Sequence, residues 1–235
     1  MSSRVASQPD VGVVVVAAGA GVRAGPGEPK QFRPIHGVPM LLRAVRPFTS
    51  HPDVGQVVVV VPPGFETRPP EWLGKLVGER LALVAGGATR AHSVRAGLRT
   101  LPEPVGIVLV HDGARPFVSR ETIDTIIVRA RSGIGAVAAV PLADTVKEVV
   151  EGSRITRTVA RERLWRAQTP QGFPRVMLER AYAGLQNGVS SPTDDAELCE
   201  GAGFPVEVVP DTPHNFKVTT ADDFRIAEAL ARELR

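Results

Sequence analysis

At 235 residues, 43% apolar and 23% charged, the chain has the composition of a folded domain rather than of a disordered tract. Its single cysteine, Cys199, excludes a disulfide framework and a cysteine metal cluster, and no apolar stretch has the length of a membrane span, so a reducing, cytoplasmic setting without a membrane partner is expected. A formal charge of +3, scattered basic residues and 5% aromatics argue against a nucleic-acid platform.

In chain order, the first predicted element is a strand over Val11 to Ala17, whose valine run suits a strand buried on both faces. It ends at glycines 19, 21, 25 and 27, with Arg23 and Lys30 close behind. Glycines let backbone N–H groups crowd a phosphate, and the two cations can neutralise its charge. Two other readings compete for this segment. A secretory signal is disfavoured by Asp10 directly before the run and by Arg4 as the one early cation. The dinucleotide pattern of Gly19, Gly21 and Ala24, which would make the chain a NAD(P)-binding oxidoreductase, needs a helix where Gly25, Pro26, Gly27 and Pro29 stand.

Further strands are predicted at Gln56 to Val61, Leu81 to Ala85, Val105 to Val110 and Ala136 to Val140, alternating with helices at Met40 to Phe48, Glu71 to Gly78, Ala91 to Leu101 and Arg120 to Arg131. Such alternation implies βαβ units and a mostly parallel sheet that binds its ligand at the carboxyl ends of the strands. The pattern then changes. Asp144 to Val150, a turn at Glu151-Gly152-Ser153, and Arg154 to Val159 read as a β-hairpin within an arm of about 142–170, marginal by itself and expected to pack on a second subunit. Helices at Pro174 to Gln186, Asp194 to Ala202 and Ala221 to Leu234, and a strand at Val206 to Val209, complete the reading. With no repeat and no long linker, residues 1–235 are expected to form one domain: α/β, three-layer, Rossmann-like, with a protruding hairpin arm. Only four of the 28 cationic residues are lysines, namely Lys30, Lys75, Lys147 and Lys217. The positions of Lys30, Lys147 and Lys217 beside polar or glycine-rich stretches hint at sites that want a compact ammonium, with codon bias as the plain alternative.

Seven motifs in order carry a resemblance. They are Ala17-Ala18-Gly19-x-Gly21-x-Arg23 with Pro29-Lys30-Gln31-Phe32; Gly86-Gly87-x3-Ala91-x-Ser93; His111-Asp112-x-Ala114-Arg115-Pro116; Asp144-Thr145-x-Lys147; Arg161-x2-Leu164-Trp165-x2-Gln168-Thr169-Pro170-Gln171; Thr193-Asp194-Asp195-Ala196; and Asn215-x-Lys217-Val218-Thr219. Together they resemble the 2-C-methyl-D-erythritol 4-phosphate cytidylyltransferases, over nearly the whole chain. The resemblance implies transfer of CMP from CTP to that polyol phosphate, with Mg²⁺, in non-mevalonate isoprenoid precursor synthesis. A cytidylyltransferase for ribitol 5-phosphate or another polyol phosphate is the alternative.

It further implies that Arg23 and Lys30 stabilise the transition state and that Arg161 and Lys217 place the acceptor phosphate. Ala17, Ala18, Gly19, Gly21, Gly86, Gly87, Ala88, Ser93, Asp112 and Gly113 are implied as the nucleotide site. Asp112, Arg115, Thr145, Arg161, Thr169, Thr193 and Lys217 are implied around the acceptor, with Asp112 also suited to Mg²⁺. Arg161 and Thr145 are implied to reach the neighbouring site of a homodimer on the arm. Three positions depart from the family pattern. Ala88 stands where an acid is common, Ala160 where Asp usually precedes Arg161, and Gly113 where Ala is usual, so side-chain contacts to ribose and the orientation of Arg161 are the points affected.

Overall fold

The computed structural model describes residues 9–19, 29–185 and 192–234. The elements run β1 Val11–Val16, a 3₁₀ turn Lys30–Phe32, β2 Pro34–Ile35, β3 Val38–Pro39, α1 Met40–Thr49, β4 Val54–Val61, α2 Glu71–Gly74, β5 Leu81–Ala85, α3 Arg90–Thr100, β6 Ile107–Asp112, α4 Arg120–Arg131 and β7 Gly135–Pro141. They continue with β8 Val146–Val149, β9 Ile155–Val159, β10 Trp165–Pro174, α5 Arg175–Ala183, α6 Asp195–Gly201, β11 Val206–Pro210 and α7 Ala221–Glu233. Among the described residues no helix is long and apolar enough to cross a membrane.

Seven strands form one sheet in the order β11-β7-β10-β6-β1-β4-β5, and every neighbouring pair is parallel except those made by β10. The sheet is covered on both faces, which is why its central strands read as unbroken apolar runs. Val11, Val13 and Val15 of β1 pack with Leu41, Val45 and Phe48 of α1 and Ile123, Ile126 and Ile127 of α4. Val14 faces the other way, toward Val94 and Leu98 of α3, Leu178 of α5 and Cys199 of α6. Helix α3 lies close on β1 because it carries Gly97 there: a Cβ at that position would come within 2.4 Å of Val14 Cγ1. The three-layer, mostly parallel α/β expectation therefore holds.

Three expectations need correction. The helix predicted over Glu71 to Gly78 stops at Gly74, and Gly78 bridges to Leu81 instead. The strand predicted over Val105 to Val110 runs from Ile107 to Asp112, which draws His111 and Asp112 into the sheet. Most consequential, Trp165–Pro174 is no part of the arm: it is β10, antiparallel between β6 and β7, and its residues from Gln168 to Phe173 are buried. The paired hairpin is confined to β8 and β9. Pro170, Gly172 and Pro174 hide this strand from any period-2 pattern, and its pairing with β7 shifts register between Ala167 and Gln171.

β10 and β6 are pinned to each other by a buried polar chain. The Asp112 N–H donates to the Thr169 hydroxyl at 2.9 Å, Thr169 Oγ1 lies 3.0 Å from His111 Nδ1, and His111 Nε2 lies 3.1 Å from the Arg115 carbonyl. A carbonyl only accepts, so Nε2 carries the proton, and the hydroxyl that takes the Asp112 N–H gives its own proton to Nδ1. Wholly buried against the Phe48 ring, His111 is a neutral imidazole whose pKa burial pushes down to about 4.

An unfolded chain protonates histidine near pH ~6.5. The fold therefore loses stability as pH falls from there toward 4 and keeps the full contribution above it, by on the order of 3 kcal/mol for this one residue. Denaturant melts at a series of pH values should show that His111→Gln, which keeps a side-chain N–H donor, flattens this part of the profile. An unchanged slope would contradict the neutral, buried assignment.

Candidate active site

Since β1, β4, β5, β6, β7 and β11 run the same way, their carboxyl ends, with the segments that follow them, form one rim. The antiparallel β10 contributes its starting end, including Thr169, to that rim. Residues far apart in sequence meet there because of topology alone.

On the nucleotide side, the Ala17 N–H donates to the Val60 carbonyl at 2.8 Å, and the buried Gln31 amide donates to the Ala17 carbonyl at 2.7 Å. Gln31 thereby ties the start of the glycine loop to the turn that carries Lys30. Gly86 packs so tightly on Ala18 that a Cβ would fall 2.1 Å from the Ala18 Cβ, so the first glycine of this loop is there for close approach. The Ser93 hydroxyl accepts from the Gly87 N–H at 3.2 Å and donates to the Thr89 carbonyl at 3.0 Å, which shapes the loop around its own backbone. Gly87 and Ala88 are exposed, presenting main chain to the rim. At Gly113 a Cβ would sit 3.0 Å from both Ala17 Cβ and Leu41 Cδ1, a tight fit. Gly19 ends the first described segment, while Gly21 and Arg23 lie outside the described residues.

On the other side stands Asp112, its side chain 10% exposed, ringed by three cations. Lys217 Nζ is 2.9 Å and Arg115 Nε 3.5 Å from Oδ2, and Arg90 Nε is 3.8 Å from Oδ1. Burial alone would raise the Asp112 carboxyl, but Lys217, Arg90 and Arg115 outweigh it and hold it well below the usual carboxylate range. Arg90 reaches further, to the wholly buried Asp195 at 2.6 Å, which also accepts from the Tyr182 hydroxyl at 2.6 Å. Burial opposes the Arg90 charge, yet Asp195 and then Asp112 make the guanidinium more basic than usual. Arg115 donates to the Asn215 carbonyl at 2.8 Å, and the Asn215 amide donates to the Thr169 carbonyl at 2.7 Å. Lys30 Nζ, 188 positions away in sequence, donates to the Val218 carbonyl at 2.8 Å, next to Lys217.

The structure thus brings together Ala17, Gly86, Gly87, Ser93, Gly113, Asp112, Arg115, Thr169, Lys30 and Lys217. The other predicted residues lie as follows. Thr145 is exposed on the arm, and Arg161 donates to the Ala143 carbonyl at the arm's base. Thr193 is exposed, its N–H and hydroxyl both on Glu197 at 2.6 and 2.8 Å ahead of α6. The hydroxyl of Thr169, expected to touch the acceptor, is buried and spent on Asp112 and His111.

Asp112 does not fit the role of a metal ligand. Each of its oxygens faces at least one cation, and a divalent ion there would meet three like charges. Among the described residues no cluster of three His, Cys, Asp or Glu side chains could hold a metal. Cys199, inside α6, has its thiol pushed up to about 12 by burial, which suits a core residue and not a nucleophile.

Arg90 was missed in the reading of the sequence, and so were the positioning roles of Gln31 and Gln171. The last donates to Asp194 at 2.9 Å and accepts the N–H groups of Asp195 and Ala196 at 3.1 and 3.0 Å, fixing the start of α6. The presence of Gln31 and Gln171 in the motifs was a signal, but nothing in a single sequence says which loop residue turns inward.

A model of the 2-C-methyl-D-erythritol 4-phosphate cytidylyltransferase family matches residues 11–233. A protein of that name from Streptomyces coelicolor is 45% identical over 232 residues, which cover 94% of this chain and 85% of that protein. The bifunctional IspD/IspF enzyme of Desulfotalea psychrophila is 39% identical over 221 residues, 94% of this chain and 56% of its own length. The crystal structure of 2-C-methyl-D-erythritol 4-phosphate cytidylyltransferase from Thermus thermophilus superposes with a TM-score of 0.75 at 36% identity, over 93% of this chain and 98% of that one. With a matching family model, relatives and solved structures along nearly its whole length, the chain belongs to the 2-C-methyl-D-erythritol 4-phosphate cytidylyltransferase family and is an enzyme of the cytidylyltransferase class.

Proposed function

We propose that the chain transfers CMP from CTP to 2-C-methyl-D-erythritol 4-phosphate, forming 4-diphosphocytidyl-2-C-methyl-D-erythritol and pyrophosphate in non-mevalonate isoprenoid precursor synthesis. The observation that supports it most directly is the meeting of Lys30 and Lys217 at the rim, one reaching the backbone beside the other. An acceptor phosphate oxygen forms a bond to the α-phosphorus of CTP, and the bond to pyrophosphate breaks. Both reactants are anions, so no protein nucleophile is required; the barrier lies in their repulsion and in the charge that builds at the α-phosphoryl group.

Lys30, with Arg23, neutralises that charge and the leaving pyrophosphate. Lys217 meets the acceptor phosphate. The exposed main chain of Gly87 and Ala88 frames the base, so the alanine at 88 costs no backbone contact. Mg²⁺, where bound with CTP, would be held by the triphosphate oxygens and would offset part of their charge.

The arm completes the site from a second copy of the chain. Val149 and Ile155 are 54% and 58% exposed on a hairpin too small to be stable alone, an apolar surface that a homodimer covers. Arg161 and Thr145 then act in the partner's site.

Pure protein supplied with CTP, Mg²⁺ and one polyol phosphate at a time should release pyrophosphate with methylerythritol phosphate; turnover of ribitol 5-phosphate alone would overturn the assignment. Lys30→Ala should slow turnover roughly 10²- to 10³-fold, the loss of one well-placed charge-stabilising group. Mixing Lys30→Ala with Arg161→Ala protein, each nearly inactive, should restore about a quarter of the wild-type rate, since mixed dimers hold one intact site. No recovery after subunit exchange would mean that the arm serves its own subunit.

A further inference from the structure

Arg90 occupies the first position of α3, where the positive end of the helix makes a cation unfavourable. Its place there needs another cause, and two carboxylates supply it. One guanidinium nitrogen, Nη2, is hydrogen-bonded to Asp195 at 2.6 Å, while Nε stands 3.8 Å from Oδ1 of Asp112. Asp195 is a fixed anchor: it is wholly buried, its other oxygen accepts from Tyr182, and its N–H is held by Gln171. The three cations around Asp112 are not equivalent. Lys217 and Arg115 share Oδ2, whereas Arg90 faces Oδ1. Their side chains are 43%, 11% and 23% exposed, so Lys217 is the one that an arriving phosphate meets first.

Lys217 can give its ammonium to a phosphate only if the other cations still hold the buried carboxylate, because an abandoned charge would be costly. We propose that Arg90 is a positioning residue for the transfer, anchored by Asp195 so that it holds the Asp112 carboxylate while Lys217 turns to the acceptor phosphate. Arg115 stays on Oδ2 during that exchange. The bridge demands a planar fork: an ammonium bound to Asp195 cannot also face Asp112. It also joins the nucleotide loop ahead of α3 to the acceptor side of the rim. The inference rests on the cytidylyl-transfer reading.

The test is the affinity for methylerythritol phosphate, read by calorimetry with a non-transferable CTP analogue present, so that no turnover is needed. Arg90→Lys keeps a cation for buried Asp195 and should retain the fold, checked by its thermal midpoint. It should weaken acceptor binding about tenfold and leave the affinity for the CTP analogue within about twofold. In an Asp112→Asn background, where no carboxylate competes for Lys217, the same change should cost nothing further. Equal weakening in both backgrounds, or none in either, would sink the proposal and leave Arg90 a brace for α6. If Arg90→Lys melts below the assay temperature, Asp195→Asn, which leaves Arg90 in place but unanchored, is read by the same two-background comparison. Wild-type protein that releases no pyrophosphate from CTP and the acceptor would instead refute the transfer reading, an outcome distinct from any result with the variants.

Discussion

A carboxylate removed from water has to be balanced by cations, and Asp112, 7% exposed at the tip of β6, draws them from three stretches of chain. Arg90 comes from the start of α3, Arg115 from the loop after β6, and Lys217 from the segment after β11. One buried charge therefore fixes how the nucleotide loop, the central strand and the acceptor side lie relative to one another. The backbone of Asp112 is pinned as firmly as its side chain, through Thr169 and His111. Neither loop could shift far without exposing an uncompensated charge in a dry place, and this sets the rim before any substrate arrives.

Most of the layered fold was legible because it follows from periodicity and burial. The valine runs of β1 and β4 and the 3.6-residue patterns of α1, α3 and α4 each hold within a residue or two. What stayed hidden depends on contacts rather than pattern. β10 is interior and antiparallel, yet it is built from Trp165, Gln168, Thr169, Pro170, Gln171 and Gly172, which carry neither alternation nor an apolar run. Its polar residues are buried because they serve the neighbouring strands and α6, a fact visible only once β6 and β7 flank it. The expected arm was too long for the same reason.

The site divides along a similar line. Residues that present backbone or a long cation at the end of a strand were readable, since the topology of a parallel sheet says where such ends gather. The internal role of Thr169 was not readable, because hydroxyls in loops serve protein and ligand equally well on paper; here its hydroxyl bonds Asp112 and His111. Arg90 was passed over because one more arginine in an arginine-rich chain carries no signal until two acids are found on either side of it.

The scarcity of lysine takes on physical meaning in this setting. Of the four, Lys75 pairs with Glu71 on the surface and Lys147 bonds Thr158 on the arm, whereas Lys30 reaches the Val218 carbonyl and Lys217 reaches Asp112 at the rim. The two cation types do different work there. Arg90 and Arg115 hold fixed protein partners, with Asp195, Asp112 and the Asn215 carbonyl in directions that a planar fork can satisfy at once. Lys30 and Lys217 carry point charges on rotatable stems and can exchange a protein oxygen for a phosphate oxygen without breaking a bidentate geometry. An arginine at 217 would bind Asp112 through two nitrogens and resist that exchange, while a lysine at 90 could not span its two carboxylates. The distribution of the two residue types around one buried acid is thus what separates the scaffold of this site from the groups that meet its anionic ligands.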